Sequence, residues 1–369
     1  MKTNNRVIVG LSGGIDSAMT ACLLKQAGYR LTGVTMSTWD ESYSSVEAVR
    51  SGCFGPGETE DISSAAEICH RLDIPHYVID LKREFKEFVL DYFRKVYLSG
   101  RTPNPCVICN RMIKFGLLPL KAREFGLDFD YFATGHYARI VKHGDWHLIA
   151  RGLDKKKDQS YFLCRLNEKI LSETILPLGD FYKEEIKDLA KKSGFDDLVH
   201  RKESQDFIET DDYGFIFGEK GTVPGEIVDV KGKIIGQHQG IIYYTIGQRR
   251  GLNLSGLPEP YYVLEIDIKN NRIVAGEKSF LYNSELLATD VIWADGKKRE
   301  GTYKLQAQIR LQHRAANCVV THTKKQSYRV TFSEPQLSIT PGQIVAFYDG
   351  DNVIGGGVID NPTHNQATE

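Results

Sequence analysis

At 369 residues the chain is too long for one compact core, and roughly 150 residues per domain predicts two to three domains. Hydrophobic residues make up 41% and charged residues 26%, which excludes a wholly disordered chain. Lys plus Arg number 47 against 48 Asp plus Glu, so there is no overall polyanion signal, although a local basic face can sit in a chain of net charge −1.

Strand and helix signals alternate over the first two hundred residues. Arg6 to Gly10 reads as a short buried strand, Asp16 to Ala27 as a helix and Leu31 to Met36 as the next strand. From Glu60, apolar residues at Ile62, Ala65, Ala66, Cys69 and Leu72 keep helical spacing, and Tyr77 to Ile79 follows as a strand. Phe85, Phe88, Val89, Tyr92, Phe93 and Val96 form the clearest amphipathic stripe, and Phe129 to Thr134 is another strand. This alternation predicts a doubly wound, Rossmann-like parallel sheet with helices on both faces. After about Glu203 the texture changes: residues 214 to 256 hold ten glycines. Hairpins are expected at Val228–Ile235 and at Leu264–Val274, the latter turning at Asn270-Asn271. Strands at Leu305–Leu311, Asn317–Thr321, Tyr328–Phe332, Gln343–Tyr348 and Asn352–Ile359 suggest a small antiparallel β-barrel. The expected division is an α/β catalytic domain over 1–205, a small β-rich central domain over 206–285 and a C-terminal barrel over 286–369. No apolar run approaches the roughly 18 residues that span a bilayer, and Met1 to Gly14 lacks signal-peptide architecture. The expected compartment is therefore the cytoplasm, with no membrane partner.

Gly10-Leu11-Ser12-Gly13-Gly14-Ile15-Asp16-Ser17 lies between the first strand and the first helix. Glycines let the backbone approach an anion, and N–H groups of the loop and helix start can point at it. Ser12 and Ser17 add hydroxyl donors, and Asp16 is placed to reach a divalent cation. The bland alternative is a glycine-rich turn with Asp16 or Ser17 as helix N-cap. There is no Gly-Lys-Ser/Thr, so this is not the Walker-type loop. The string resembles the signature of the ATP-pyrophosphatase superfamily, whose members adenylate a carbonyl oxygen and let a nucleophile displace AMP. That resemblance implies ATP with Mg²⁺.

Seven cysteines is an odd number in a long chain, which argues against a secreted disulfide framework. Cys106 and Cys109 stand out in Thr102-Pro103-Asn104-Pro105-Cys106-Val107-Ile108-Cys109-Asn110, where two prolines stiffen a loop that presents Cys-x-x-Cys. Such a pair can form a disulfide, carry a persulfide or supply two metal ligands. Together with Gly10–Ser17 and Arg101–Phe115, the stretches Ala133–Arg139, Lys157–Leu163, Glu203–Asp206 and Tyr244–Leu252 resemble, in order, the tRNA-specific 2-thiouridylase (MnmA) family. That resemblance implies ATP-dependent replacement of the 2-oxygen of the wobble uridine of tRNA by sulfur. It further implies Gly10–Ser17 at the ATP phosphates, Met36 and Gly135 beside the adenosine, and Cys109 as nucleophile. Asn104, Pro105 and Cys106 would touch the target base, and His136, Lys157, Asp158 and Gln159 the tRNA. Arg310, Leu311 and Gln343 align with tRNA-contacting positions of the last domain. From Lys297 to Arg329 there are nine Lys or Arg against one Glu. A charge run is usually a solvated face, but on a small β domain an RNA-backbone footprint explains it better. A sulfur-donor protein, a cysteine desulfurase or relay, is the implied partner besides tRNA.

The chain departs from the family in one respect. Many members carry a second catalytic cysteine shortly after Glu-Ser-Gln-Asp, whereas here the chain reads Asp206-Phe207-Ile208-Glu209, and those members commonly have aspartate where Cys106 stands. Two replacements are open. Cys106 and Cys109 are themselves the redox pair, or Cys53, Cys106 and Cys109 hold a [4Fe–4S] cluster whose free iron binds hydrosulfide. The second is preferred, because losing one cysteine while gaining two others suggests a changed sulfur device. Cys22 and Cys69 fit the core better. Competing readings are another ATP-pyrophosphatase enzyme acting on tRNA, a tRNA-binding protein that has lost catalysis, and a sulfur carrier that never touches RNA.

Overall fold

The computed structural model describes residues 5–40, 52–201, 206–209, 213–218, 221–257 and 259–361. The Glu203-Ser204-Gln205 part of the family motif lies outside the described residues.

Strands β1 (Arg6–Gly10), β2 (Arg30–Ser37), β4 (His76–Asp80), β5 (Tyr131–Ala133) and β8 (Thr174–Ile175) form one parallel sheet in the order β4-β2-β1-β5-β8. The chain steps outward from β1 to β4 and then returns to the other side of β1. Strand order therefore reverses between β1 and β5, the crevice where sheets of this type bind ligands. Successive side chains of a strand face opposite ways. Val7 and Val9 pack on one face with Ala18, Met19 and Leu24 of α1 (Ile15–Gln26). Ile8 packs on the other with Phe85, Ile113 and Phe115. The amphipathic stripe is helical throughout but not uniform: α-helical Lys82–Phe85 and Asp91–Leu98 flank a π-helical Lys86–Leu90. The stripe is spaced for an α-helix throughout, so the sequence carries no mark of this wider turn.

β3 (Gly52–Phe54) pairs in parallel with β9 (Asp206–Ile208) apart from the main sheet. Phe54, Phe85, Phe93 and Phe207 form an aromatic cluster that seats this ribbon, with centroids 5.2 Å apart for Phe54–Phe85 and 5.3 Å for Phe93–Phe207. Further along, Gly225–Val228, Ile234–His238, Tyr262–Asp267 and Arg272–Gly276 make a four-stranded sheet in which both expected hairpins pair. Asn271 turns the second hairpin at φ +50°, a conformation Asn tolerates. The last six strands, Tyr282–Trp293, Thr302–Gln308, Ala316–Lys324, Ser327–Leu337, Ile344–Asp349 and Asn352–Asp360, close into a barrel through the pairing of the first with the last. Trp293, Tyr328, Val330 and Phe347 fill it. The strand expected over Leu305–Leu311 instead ends at Gln308, and Arg310 and Leu311 fall in the turn beyond. A hairpin between the main-sheet strands, β6 (Ala138–His143) and β7 (Trp146–Arg151), reaches over and meets the barrel edge at Asn352. Among the described residues no helix is long and apolar enough to cross a membrane.

Candidate active site

The glycine loop runs from the carboxyl end of β1 into α1, at the switch point. Gly13 sits at φ +75°, and a Cβ there would lie 2.6 Å from the Asp61 carbonyl oxygen, so only glycine fits. Its own carbonyl accepts hydrogen bonds from Ser64 Oγ (2.9 Å) and Arg201 (3.0 Å). Ser17 Oγ accepts from the Ser12 N–H at 3.3 Å and donates to the Gly14 carbonyl at 2.9 Å. The loop is thus braced from behind. In front of it opens a cavity of about 530 Å³, of a size that takes a nucleotide. Every residue expected at the nucleotide except Gly13 lines it, Met36 and Gly135 included.

Asp16 is not an open carboxylate. Both its oxygens accept from Lys183 Nζ at 2.8 Å, and Oδ1 also accepts from the Tyr137 hydroxyl at 2.8 Å. Lys183 is 3% exposed. As the first residue of helix Lys183–Lys192, one lysine among several, it carries no sequence signal. Burial pushes the Asp61 carboxyl up to about 6; Arg201 opposes this, and Glu209, Glu60 and Glu58 add to it. Glu58 itself is taken up by Ser37, Thr38 and Trp39.

The sulfur-bearing segment abuts this cavity. Asn104 caps helix Pro105–Ile108 by accepting the Val107 N–H at 3.2 Å, and the chain continues as the π-helix Cys109–Leu117. Cys106 and Cys109, three apart, share a helix face; Cys106 is half-buried and Cys109 buried. Burial pushes the Cys109 thiol up to about 11; Lys114 pulls it down and Cys53 adds to the rise. Burial works against the charge of Lys114, yet Cys53, Cys109 and Cys106 together hold its ammonium above the ordinary range. Cys53 is exposed and lines the cavity in front of the glycine loop, as does Lys114. The Glu209 carboxylate seats the Cys53 loop by accepting the Gly57 N–H at 2.9 Å. In the β3–β9 register Cys53 falls opposite Phe207, between the pairs Gly52–Asp206 and Phe54–Ile208. Lys114 and Cys53 thus share the cavity wall, and the charge of Lys114 bears on all three thiols. Among the described residues, however, no group of three or more His, Cys, Asp or Glu could hold a metal ion. As they stand, Cys53, Cys106 and Cys109 do not make the ligand set expected for an iron–sulfur cluster. Cys22, Cys69, Cys164 and Cys318 are buried in the cores.

The residues expected at tRNA fall into three places. His136 and Gln159 line the cavity in front of the glycine loop. Burial, reinforced by Lys114, lowers the His136 imidazole to about 3, so it is neutral at physiological pH; its Nδ1 pairs with Thr134 Oγ1 at 2.7 Å. Gln159 accepts the Tyr137 N–H at 2.8 Å. Asp158 organises the adjoining turn, pairing with Arg151 at 3.2 Å and accepting from Gly152 and Ser160, with Lys157 half-buried beside it. Asn104, Pro105 and Cys106 lie at a joint with the barrel. There the Asn104 amide donates to Gln343 Oε1 and Gln343 Nε2 donates to the Pro103 carbonyl, both at 3.2 Å. Asn104 is 8% exposed, so its amide is committed to the loop more than to solvent. On the barrel, Arg310 donates to the Leu337 carbonyl at 2.8 Å and Leu311 is exposed. Arg299 lies over the Trp293 ring at 5.0 Å, whereas Lys297, Lys298, Lys304, Arg314, Lys324, Lys325 and Arg329 are exposed.

A doubly wound sheet with an anion loop at its switch point, joined to two β modules, describes a nucleotide-binding domain with appended β domains. The comparisons agree. Residues 5–209 match the family described as tRNA methyl transferase HUP domain, 214–277 its PRC-barrel domain, and 283–359 the aminomethyltransferase beta-barrel domain. The chain is 44% identical to the tRNA-specific 2-thiouridylase MnmA of Endomicrobium trichonymphae, over 97% of this chain and 100% of that one. It is 43% identical to the protein of the same name from Carboxydothermus hydrogenoformans, over 96% and 97%. The chain belongs to the tRNA-specific 2-thiouridylase family.

Proposed function

We propose that the chain performs ATP-dependent 2-thiolation of the wobble uridine of tRNA in the cytoplasm, the N-terminal 1–205 region doing the chemistry and the 206–285 and 286–369 regions framing the RNA. The single observation that carries this reading is the common wall between the nucleotide cavity and the thiols, where Cys53 and Lys114 stand with the glycine loop. The matched family's description speaks of methyl transfer and the relatives' names of thiolation. A cysteine pair set against an ATP-type loop favours the second.

In this reading Gly10–Ser17 hold the phosphates and Met36 and Gly135 border the adenosine. Mg²⁺ arriving with ATP offsets charge on the leaving pyrophosphate. The base cannot react while stacked, so it is flipped toward the loop of Asn104, Pro105 and Cys106. The tRNA is held by His136, Lys157, Asp158 and Gln159 and, on the barrel, by Arg310, Leu311, Gln343 and the exposed basic run. The 2-oxygen attacks the α-phosphate, pyrophosphate leaves and N3 gives up its proton. A donor protein, a cysteine desulfurase or relay, has loaded Cys109 with a sulfane sulfur. That persulfide anion attacks C2, and AMP departs with the former carbonyl oxygen. The Cys106 thiolate then attacks Cys109 Sγ and breaks the S–S bond. The electron pair stays on the uracil sulfur, N3 regains a proton and a Cys106–Cys109 disulfide remains, which an external dithiol reduces. The cluster reading would need Cys53, Cys106 and Cys109 to draw together. Iron and sulfide analysis of anaerobically purified protein decides between the two.

The test supplies purified protein with ATP, tRNA, a persulfide donor and a dithiol. AMP and 2-thiouridine are expected in equal amounts, and Cys109→Ser should lose thiolation by about 1000-fold or more while keeping tRNA affinity. Failure to produce AMP together with a sulfur-bearing nucleoside would sink the proposal.

A further inference from the structure

We propose that Lys114 is the group that holds the reacting sulfur anion, and that the wide-turned helix Cys109–Leu117 exists to bring it there. This deepens the thiolation reading and rests on it.

Lys114 is five residues beyond Cys109. On an α-helix, at 3.6 residues per turn, five residues rotate a side chain roughly 140° away from the first. On a π-helix, at about 4.4 residues per turn, the same five residues leave it roughly 50° away, on the same face. Cys109–Leu117 is a π-helix, so the Lys114 and Cys109 side chains share a face. Gly116 marks the wide turn: a Cβ there would lie 2.8 Å from the Arg111 carbonyl oxygen.

The surroundings define what the ammonium is for. Lys114 is half-buried, and it lines the same cavity as the phosphate loop and Cys53. Removing an ammonium from water is costly unless an anion faces it. Lys183, the other lysine of the site, has the fixed carboxylate of Asp16. Among the described residues no carboxylate pairs with Lys114; Cys109 lies on its own helix face and Cys53 on the wall of the same cavity, and these thiols together with Cys106 are what raise its ammonium. A thiol at neutral pH offers an ammonium little, whereas a thiolate or persulfide anion offers a full charge. Of the two anions the site would supply, the ATP phosphates lie with the glycine loop, whereas the sulfur anion forms on the helix face that Lys114 shares with Cys109, beside the cavity where the activated carbon is formed. A compact ammonium fits this role, because it can follow sulfur from one thiol to the next.

The test compares full-length wild type with Lys114→Met and Lys114→Arg. Two steps are read apart within a single turnover, enzyme in excess over tRNA: tRNA-dependent pyrophosphate release and 2-thiouridine formation. Lys114→Met should form 2-thiouridine about 100-fold more slowly while pyrophosphate release stays within about threefold, and Lys114→Arg should recover most of the loss. A readout independent of tRNA is the rate at which iodoacetamide alkylates the tryptic peptide carrying Cys106 and Cys109, labelled in the folded protein. It should drop about tenfold in Lys114→Met and be largely restored in Lys114→Arg. Unchanged alkylation in Lys114→Met overturns the proposal, as does a fall in pyrophosphate release that keeps step with thiolation. Wild type that never yields 2-thiouridine, with the alkylation pattern as expected, overturns the thiolation reading and leaves Lys114 as the sulfur-anion holder.

Discussion

The nucleotide half and the sulfur half of the site are built in different ways. The nucleotide half is mostly one contiguous string, Gly10–Ser17, held by its neighbours in the parallel sheet. The sulfur half draws on β3, on the helix that begins at Pro105 and on the ribbon that ends at Glu209, and the barrel clasps it through Gln343. A short loop at a strand end can position backbone groups by itself. Thiols that must meet one another need several separate segments to be packed first.

Substitutions that strike one half and spare the other sharpen this comparison. Among substitutions outside the reacting thiols and Lys114, the largest effect is expected from Lys183→Met, which strips both Asp16 oxygens of their ammonium partner. Pyrophosphate release should fall about 100-fold while Cys106 and Cys109 alkylate as in wild type. Coupled loss of both readouts would show the halves to be one unit. A smaller effect is expected from Gln343→Ala, which removes the two hydrogen bonds to Asn104 and Pro103 while the Thr102–Pro341 backbone bond remains. Thiouridine formation should drop about tenfold through misplacement of the thiols, with pyrophosphate release unchanged. If neither moves, the clasp serves assembly alone.

The smallest effect concerns acid stability. His136 is lowered from 6.5 to about 3 in the folded chain, so the unfolded chain binds the extra proton across that interval. Its contribution to stability therefore declines as pH falls from 6.5 toward 3. Asp61, raised to about 6, works in the opposite sense, because the folded chain takes up its proton first. Comparing urea midpoints of His136→Gln and wild type from pH 7 to pH 4 isolates the histidine. The variant should lose less stability on acidification, and parallel curves would contradict the assigned depression.

How much of this was legible in the sequence differs by element. The glycine string and the strand before it announced the nucleotide site, because glycine at Gly13 answers a backbone requirement that no other residue meets. The cysteine pair announced sulfur chemistry through residue type alone. Lys114 and Lys183 went unsingled in the sequence. A lysine near Cys109 is unremarkable under α-helical spacing, and only the π-helix turns it toward the thiols. Phe207 stands in the stretch where the family resemblance implied a second cysteine; in space it stacks in the aromatic cluster and seats the strand opposite Cys53.

The sequence by itself determined the alternating strands and helices of the first half, the closed β character of the last region and the chemistry of the two motifs. These follow from periodicity, turn residues and reactive side chains, all of which act over a few neighbouring positions. Only the tertiary structure decided which polar groups face one another: Asp16 with Lys183, Asn104 with Gln343, and Lys114 on the helix face of Cys109. Such pairings join residues up to 239 positions apart, and burial rather than local pattern sets their strength.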